Sequence, residues 1–97
     1  MKKRKKRQRK SSIVQSDLSK CLVCGSLNPD IHEIFSGTAK RQKSIDHDLY
    51  VALCRTHHEE AHKNGALTKW LHETGQKAFE QTSSREEFIK TFGRNYL

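Results

Sequence analysis

The 97-residue chain has no apolar run approaching the length of a membrane span. Nothing behind its basic first residues resembles the hydrophobic core of a signal peptide. These absences predict a chain with no membrane partner, working in the cytoplasm, where thiols stay reduced. Cysteine is scarce: there are three, and an odd number of thiols in a reducing compartment argues for metal rather than a disulfide framework. Proline occurs once, aromatic residues make up 7% of the chain and hydrophobic residues 33%. So short and polar a chain buries little apolar surface and is marginal without a staple. The six histidines, together with the cysteines, are where that staple can come from.

Acid is missing from the first twelve residues. MKKRKKRQRKSS carries eight of the nineteen Lys and Arg, so the remaining eleven balance all eleven acids and the net charge of +8 resides in this tail. A run of like charge repels itself and builds no core, so residues 1–12 are expected to be disordered when free. Arg4, Lys5 and Arg7 then read as contacts of a phosphate-seeking arm, in preference to a solubility tail or a membrane-surface anchor.

Residues 13–97 read as one domain, with 13–20 a linker or a first short turn of helix, a core over 21–65 and helices over 66–97. Cys21-Leu-Val-Cys24-Gly25 is a knuckle-shaped turn. Ile31-His32-Glu33-Ile34-Phe35 looks like a short strand, broken by Ser36-Gly37-Thr38. Residues 39–47 are polar and basic, an expected exposed loop whose Lys40, Arg41 and Lys43 can hold a nucleic-acid backbone. Leu49, Val51 and Leu53 alternate with their neighbours, predicting a half-buried strand that pairs with the first as a hairpin. Thr56 and Glu59 form a capping box for a helix through His62, ended by Asn64-Gly65. Leu67, Trp70 and Leu71 fall at helical spacing before Gly75, which is expected to stop that helix, with a short one to follow around 76–80. Ser84 and Glu87 cap a last helix with Phe88, Ile89 and Phe92 on one face, ended by Gly93. Trp70, Leu71, Phe79, Phe88 and Phe92 are expected in the core; His47 and His72 are expected in solvent. The fold class is small α+β.

Two knuckle-spaced pairs carry the strongest chemical signal. Cys21-x-x-Cys24 and Cys54-x-x-His57 each place two donors on one tetrahedral ion, and four donors leave no position for water. That is the pattern of a structural Zn²⁺, worth on the order of 10 kcal/mol of folding free energy in comparable peptides. His58 and His62 follow at i and i+4, the spacing that stacks two side chains on one helix face about 5–6 Å apart at Cβ. Across the hairpin, His32 and Glu33 point to opposite faces of the pleat. Two or three protein ligands would keep positions open for water and a phosphate oxygen, the catalytic pattern.

Through Cys-x-x-Cys-Gly, His-Glu-Ile-Phe-x-Gly and Leu-Cys-x-x-His-His-x-x-x-His over residues 21–62, the chain resembles the HNH endonuclease family, in particular its small phage-type, zinc-containing members. The C-terminal Glu-Glu-Phe-Ile-Lys-Thr-Phe-Gly-Arg-Asn-Tyr-Leu looks like the end of such proteins. The resemblance implies a zinc-stapled ββα-metal, treble-clef-like core with extra C-terminal helices, hydrolysing DNA phosphodiester bonds with low sequence specificity in a host-cell cytoplasm. It carries the catalytic ion onto His58 and His62, with His32 as third ligand. Mg²⁺ or Mn²⁺ is the family's working ion, while imidazole ligands also accept Zn²⁺ or Ni²⁺. The family usually sets an Asp or His ligand before a general-base histidine; here the strand reads His32-Glu33, leaving either residue as the base. The middle asparagine of the family's name is replaced in its neighbourhood by Asp46, His47 and Asp48. The competing expectation is a non-catalytic zinc module that binds DNA or RNA.

Overall fold

The structure, a computed structural model, describes residues 11–37 and 39–97; Arg4, Lys5 and Arg7 lie outside the described residues. Six elements follow in chain order: β1 (Asp30–Glu33), α1 (Lys40–Asp46), β2 (Tyr50–Leu53), α2 (Arg55–Ala61), α3 (Ala66–Phe79) and α4 (Arg85–Phe92). The class is small α+β, as expected. Strands β1 and β2 pair antiparallel, with Asp30 opposite Leu53, His32 opposite Val51 and Glu33 opposite Tyr50. A lone two-stranded ribbon is marginal in water, so its stability comes from what packs on it.

β2 departs from the expected half-buried strand: Tyr50, Val51, Ala52 and Leu53 are all fully buried. The alternation in the sequence reflects residue size rather than a wet face, because residues 11–22 lie along the edge of β2 that β1 leaves free. Ser12 Oγ donates to the Tyr50 carbonyl (2.6 Å), the Tyr50 hydroxyl donates to the Ser11 carbonyl, and the Leu22 amide donates to the Ala52 carbonyl (2.8 Å). Buried Gln15 accepts from the Ala52 amide (2.7 Å) while its own amide donates to the Asp17 and Lys20 carbonyls. The stretch expected as a linker, together with Ser11 and Ser12 from the expected disordered tail, therefore seals an edge whose backbone groups would otherwise go unpaired.

The expected loop at 39–47 contains α1. Its polar sequence hides one apolar anchor, Ile45, and a buried Ser44 whose hydroxyl accepts from the Phe35 amide (3.0 Å) and donates to the Phe35 carbonyl (2.8 Å). α2 starts one residue before the expected Thr56 cap, with Cys54 at the N-cap and no side-chain cap bond. α3 does not stop at Gly75 but runs through it for 14 residues. A Cβ there would stand 3.1 Å from both Ile34 and Phe35 side chains, so this glycine serves close packing rather than termination. α4 begins as expected, with Ser84 Oγ accepting from the Glu87 amide (3.0 Å), and ends at Gly93 with φ +85°.

The core centres on Phe35, whose ring meets those of Phe88, Phe92, Tyr96 and His72. Leu71, Phe79, Phe88 and Phe92 are buried as expected. Trp70 is not: it is 48% exposed, because α3 buries the stripe Thr68, Leu71, Gly75 and Phe79, and Trp70 lies off it. Ile89 is likewise 39% exposed beside the buried Phe88 and Phe92. Fully buried Gln76 ties the C-terminal segment to α3, donating to Asn95 Oδ1 (2.7 Å) and accepting from the Tyr96 amide (2.7 Å). Among the described residues no helix is long and apolar enough to cross a membrane.

Candidate metal centres

The tight turn at 21–25 presents Cys21 and Cys24, the end of β2 presents Cys54, and the first turn of α2 presents His57. Their four ligand atoms lie within 4.8 Å of one another. His57 Nδ1 is 3.2 Å from Cys54 Sγ and 3.6 Å from Cys21 Sγ, and Cys24 Sγ is 3.8 Å from Cys54 Sγ. A tetrahedral zinc with Zn–S bonds of about 2.3 Å holds its sulfurs about 3.8 Å apart. The Cys₃His group thus has the donors and spacing for a structural ion such as zinc. Gly25 at φ +76° closes the turn, and its amide donates to the Cys21 carbonyl (2.9 Å).

Two of the three thiols are shifted toward the thiolate, while the third, Cys54, is raised. Burial pushes the Cys21 thiol up, but backbone hydrogen bonds at Cys54, Cys24 and Val23 and the His57 imidazole outweigh it and bring the thiol down to about 6. The Ser26 hydroxyl and amide lower Cys24. His57 is raised, chiefly by its hydrogen bond to Cys21. Thiolates at neutral pH are the form that binds metal.

The second group is histidine alone. β1 brings His32, nearly fully buried, against His58 and His62 from the exposed side of α2, and the three imidazoles offer ligand atoms within 4.8 Å of one another. Ring centroids are 5.2 Å (His32–His58), 5.0 Å (His32–His62) and 5.1 Å (His58–His62) apart. Burial, then the neighbouring His58 and His62, push His32 down to about 4, so it is a neutral imidazole at physiological pH, the form able to bind an ion. The α-helical i, i+4 spacing joins the two α2 histidines; the antiparallel register adds the third.

Glu33 does not join the triad. It pairs with Arg41 at 3.3 Å, and both line the small pocket of about 70 Å³ that also holds His32, His58 and His62. Lys40 and Lys43 lie on α1 outside that lining. His72, expected in solvent, is half-buried and stacks on Phe35 (centroids 5.4 Å apart). His47 is exposed, with one edge against Phe79.

Asp30 is the site residue that the sequence pattern alone did not single out. Its Oδ2 sits 3.3 Å from His58 Nδ1 and 3.5 Å from Arg55 Nε. A carboxylate on Nδ1 fixes the tautomer and leaves Nε2 for an ion. The signal was the i, i+2 spacing of Asp30 and His32, which puts both on one face of β1. Comparisons with family models, with curated proteins and with solved structures find no match for this chain.

Proposed function

We propose that the chain is a metal-dependent endonuclease of the HNH, ββα-metal kind, hydrolysing DNA phosphodiester bonds. The observation that carries this is the convergence of His32, His58 and His62 beside the closed Cys₃His group. One helix, α2, supplies His57 to one group and His58 and His62 to the other, so a structural ion would hold the reactive ligands in place. A closed shell of four donors stabilises; three imidazoles facing a pocket leave room for water and a phosphate oxygen.

His32, His58 and His62 would hold the second ion, with Asp30 orienting His58. The all-nitrogen donor set suits Zn²⁺ or Ni²⁺ better than Mg²⁺, a hard ion that prefers oxygen; Mn²⁺ lies between. When bound, such an ion supplies charge stabilisation at the leaving 3′ oxygen. Glu33, at the rim of the same pocket, accepts the proton from the attacking water. Arg41, its partner, takes a non-bridging phosphate oxygen, and that exchange loosens the Arg41 hold on the carboxylate acting as base. The tail, with Arg4, Lys5 and Arg7, draws DNA in without reading base edges.

Plasmid nicking with added Zn²⁺, Ni²⁺, Mn²⁺ or Mg²⁺ tests this. The wild type is expected to nick with at least one ion, and His58→Ala to lose nicking while keeping its structural zinc. The Glu33–Arg41 pair, which occupies the one carboxylate lining the pocket, favours a second function: a non-catalytic zinc module that binds DNA or RNA. Tight binding with no nicking under any ion would select it.

A further inference from the structure

Next to the metal pocket lies a larger groove, with a cavity volume of about 410 Å³. Its walls include Gly65, Lys69, His72, Arg94, Asn95 and Tyr96, and no Asp or Glu side chain lines it. It starts where the ligand helix ends: Asn64 and Gly65, both in its lining, follow His62 by two and three residues. On the other side His72 joins it to the Phe35 core.

The arginine here differs from those elsewhere. Arg41, Arg55 and Arg85 are each paired to a carboxylate, Glu33, Asp30 and Glu80 respectively. Arg94 forms no ion pair among the described residues; its guanidinium lies instead over the Tyr96 ring, 4.5 Å from the centroid. Stacking on a ring holds the planar fork in one orientation while leaving its N–H donors uncommitted. Lys69 also forms no ion pair among the described residues. A concave surface lined by two cations, with the terminal carboxylate of Leu97 as its one acid, keeps a net positive charge and is complementary to an anion. The start of α3 adds to it: Gly65 is the N-cap, there is no side-chain cap bond, and the nearby Thr68 hydroxyl is turned away to the Ala61 carbonyl (2.7 Å). The first α3 amides are therefore left as donors.

We propose that this groove is a phosphate subsite that holds the backbone of the DNA strand flanking the bond cut at the histidine pocket, with Arg94 and Lys69 as its cationic contacts. The proposal rests on the nuclease function above and adds the path of the substrate. Arg94 fixes the strand and Lys69 adds charge, so the contact is independent of base sequence.

The test is fluorescence anisotropy of the full, zinc-loaded chain on a short DNA duplex, without a second metal, across about 50–200 mM salt. Each phosphate contact contributes about 0.9 to the slope of log affinity against log salt, so Arg94→Gln with Lys69→Gln should flatten that slope by about 1.8. That corresponds to a loss of affinity over this salt range about tenfold smaller than in the wild type. Arg94→Gln alone should give half the effect, Arg94→Lys should retain the wild-type slope, and Lys77→Gln, on a different surface of α3, should leave it unchanged. Thermal melting verifies the fold of each variant. An unchanged slope in the folded double variant, or an equal fall with Lys77→Gln, overturns the subsite. Plasmid cleavage by the wild type is scored separately: a flattened slope without cleavage retains the groove and removes the nuclease, and cleavage with an unchanged slope does the reverse.

Discussion

His32 and Asp30 do different work from one face of the same strand. His32 is buried and held neutral, with its proton affinity well below the ordinary 6.5, near 4. Between those values the unfolded chain takes up a proton that the folded chain refuses. The stability this group supports is therefore complete above about 6.5 and lost as pH falls toward 4. Urea midpoints of the protein without a second metal should fall across that interval, and the fall should be shallower in His32→Gln. A parallel fall in the two proteins would contradict the burial argument. Asp30 acts through His58, and supports of this kind typically tune metal affinity by 10–100-fold. Asp30→Ala should weaken the second ion by that amount in a Zn²⁺ or Ni²⁺ titration, with Asp30→Asn closer to wild type because its side-chain oxygen still accepts. Equal affinity in all three would remove Asp30 from the site.

At the scale of elements, the turn at 21–25, β1 and the start and body of α2 carry the two metal groups, and α3 packs on α2. Gly75 lets α3 approach Ile34 and Phe35, so Gly75→Ala trades a helix-favouring residue against a contact of 3.1 Å with core side chains. The close packing wins, and a destabilisation of about 1–3 kcal/mol by denaturant titration is expected; a stabilised variant would show that the neighbours give way freely. Much of this layer was legible. Cysteine and histidine spacings reported the donors because knuckle turns and i, i+4 stacking are local geometry. Ser84 and Gly93 marked α4 for the same reason. What escaped was tertiary: Ser44 ties α1 to the Phe35 backbone and Ile45 is buried beneath it, and nothing in KRQKSID announces that. Gly75 reads as a breaker until Phe35 is seen against it, and Trp70 reads as core until the buried stripe is seen one residue away. The full burial of β2 depends on Gln15, whose amide meets β2 only in the folded chain.

For the whole molecule, a small core leaves the Cys₃His group to supply a large share of stability. The turn at 21–25, the end of β2 and α2 meet there, so an ion bound by this group would join parts of the chain that the ribbon alone would not hold. Cys24→Ser, or chelation, should abolish cooperative thermal unfolding as read by circular dichroism; an unaltered transition would show that the core suffices without metal. The asymmetry of charge acts at the same scale. Residues 13–97 sum to zero charge and the excess of +8 lies in residues 1–12, which under the proposed function would favour delivery to a polyanion over intrinsic sequence reading.

The most direct measurement is the metal content of the purified protein followed by titration with a second ion. One zinc should resist dialysis, and one further ion should bind reversibly in the wild type and fail to bind in His58→Ala and His62→Ala, each still carrying its zinc. A protein that holds a single zinc and takes up no second ion would contradict the account.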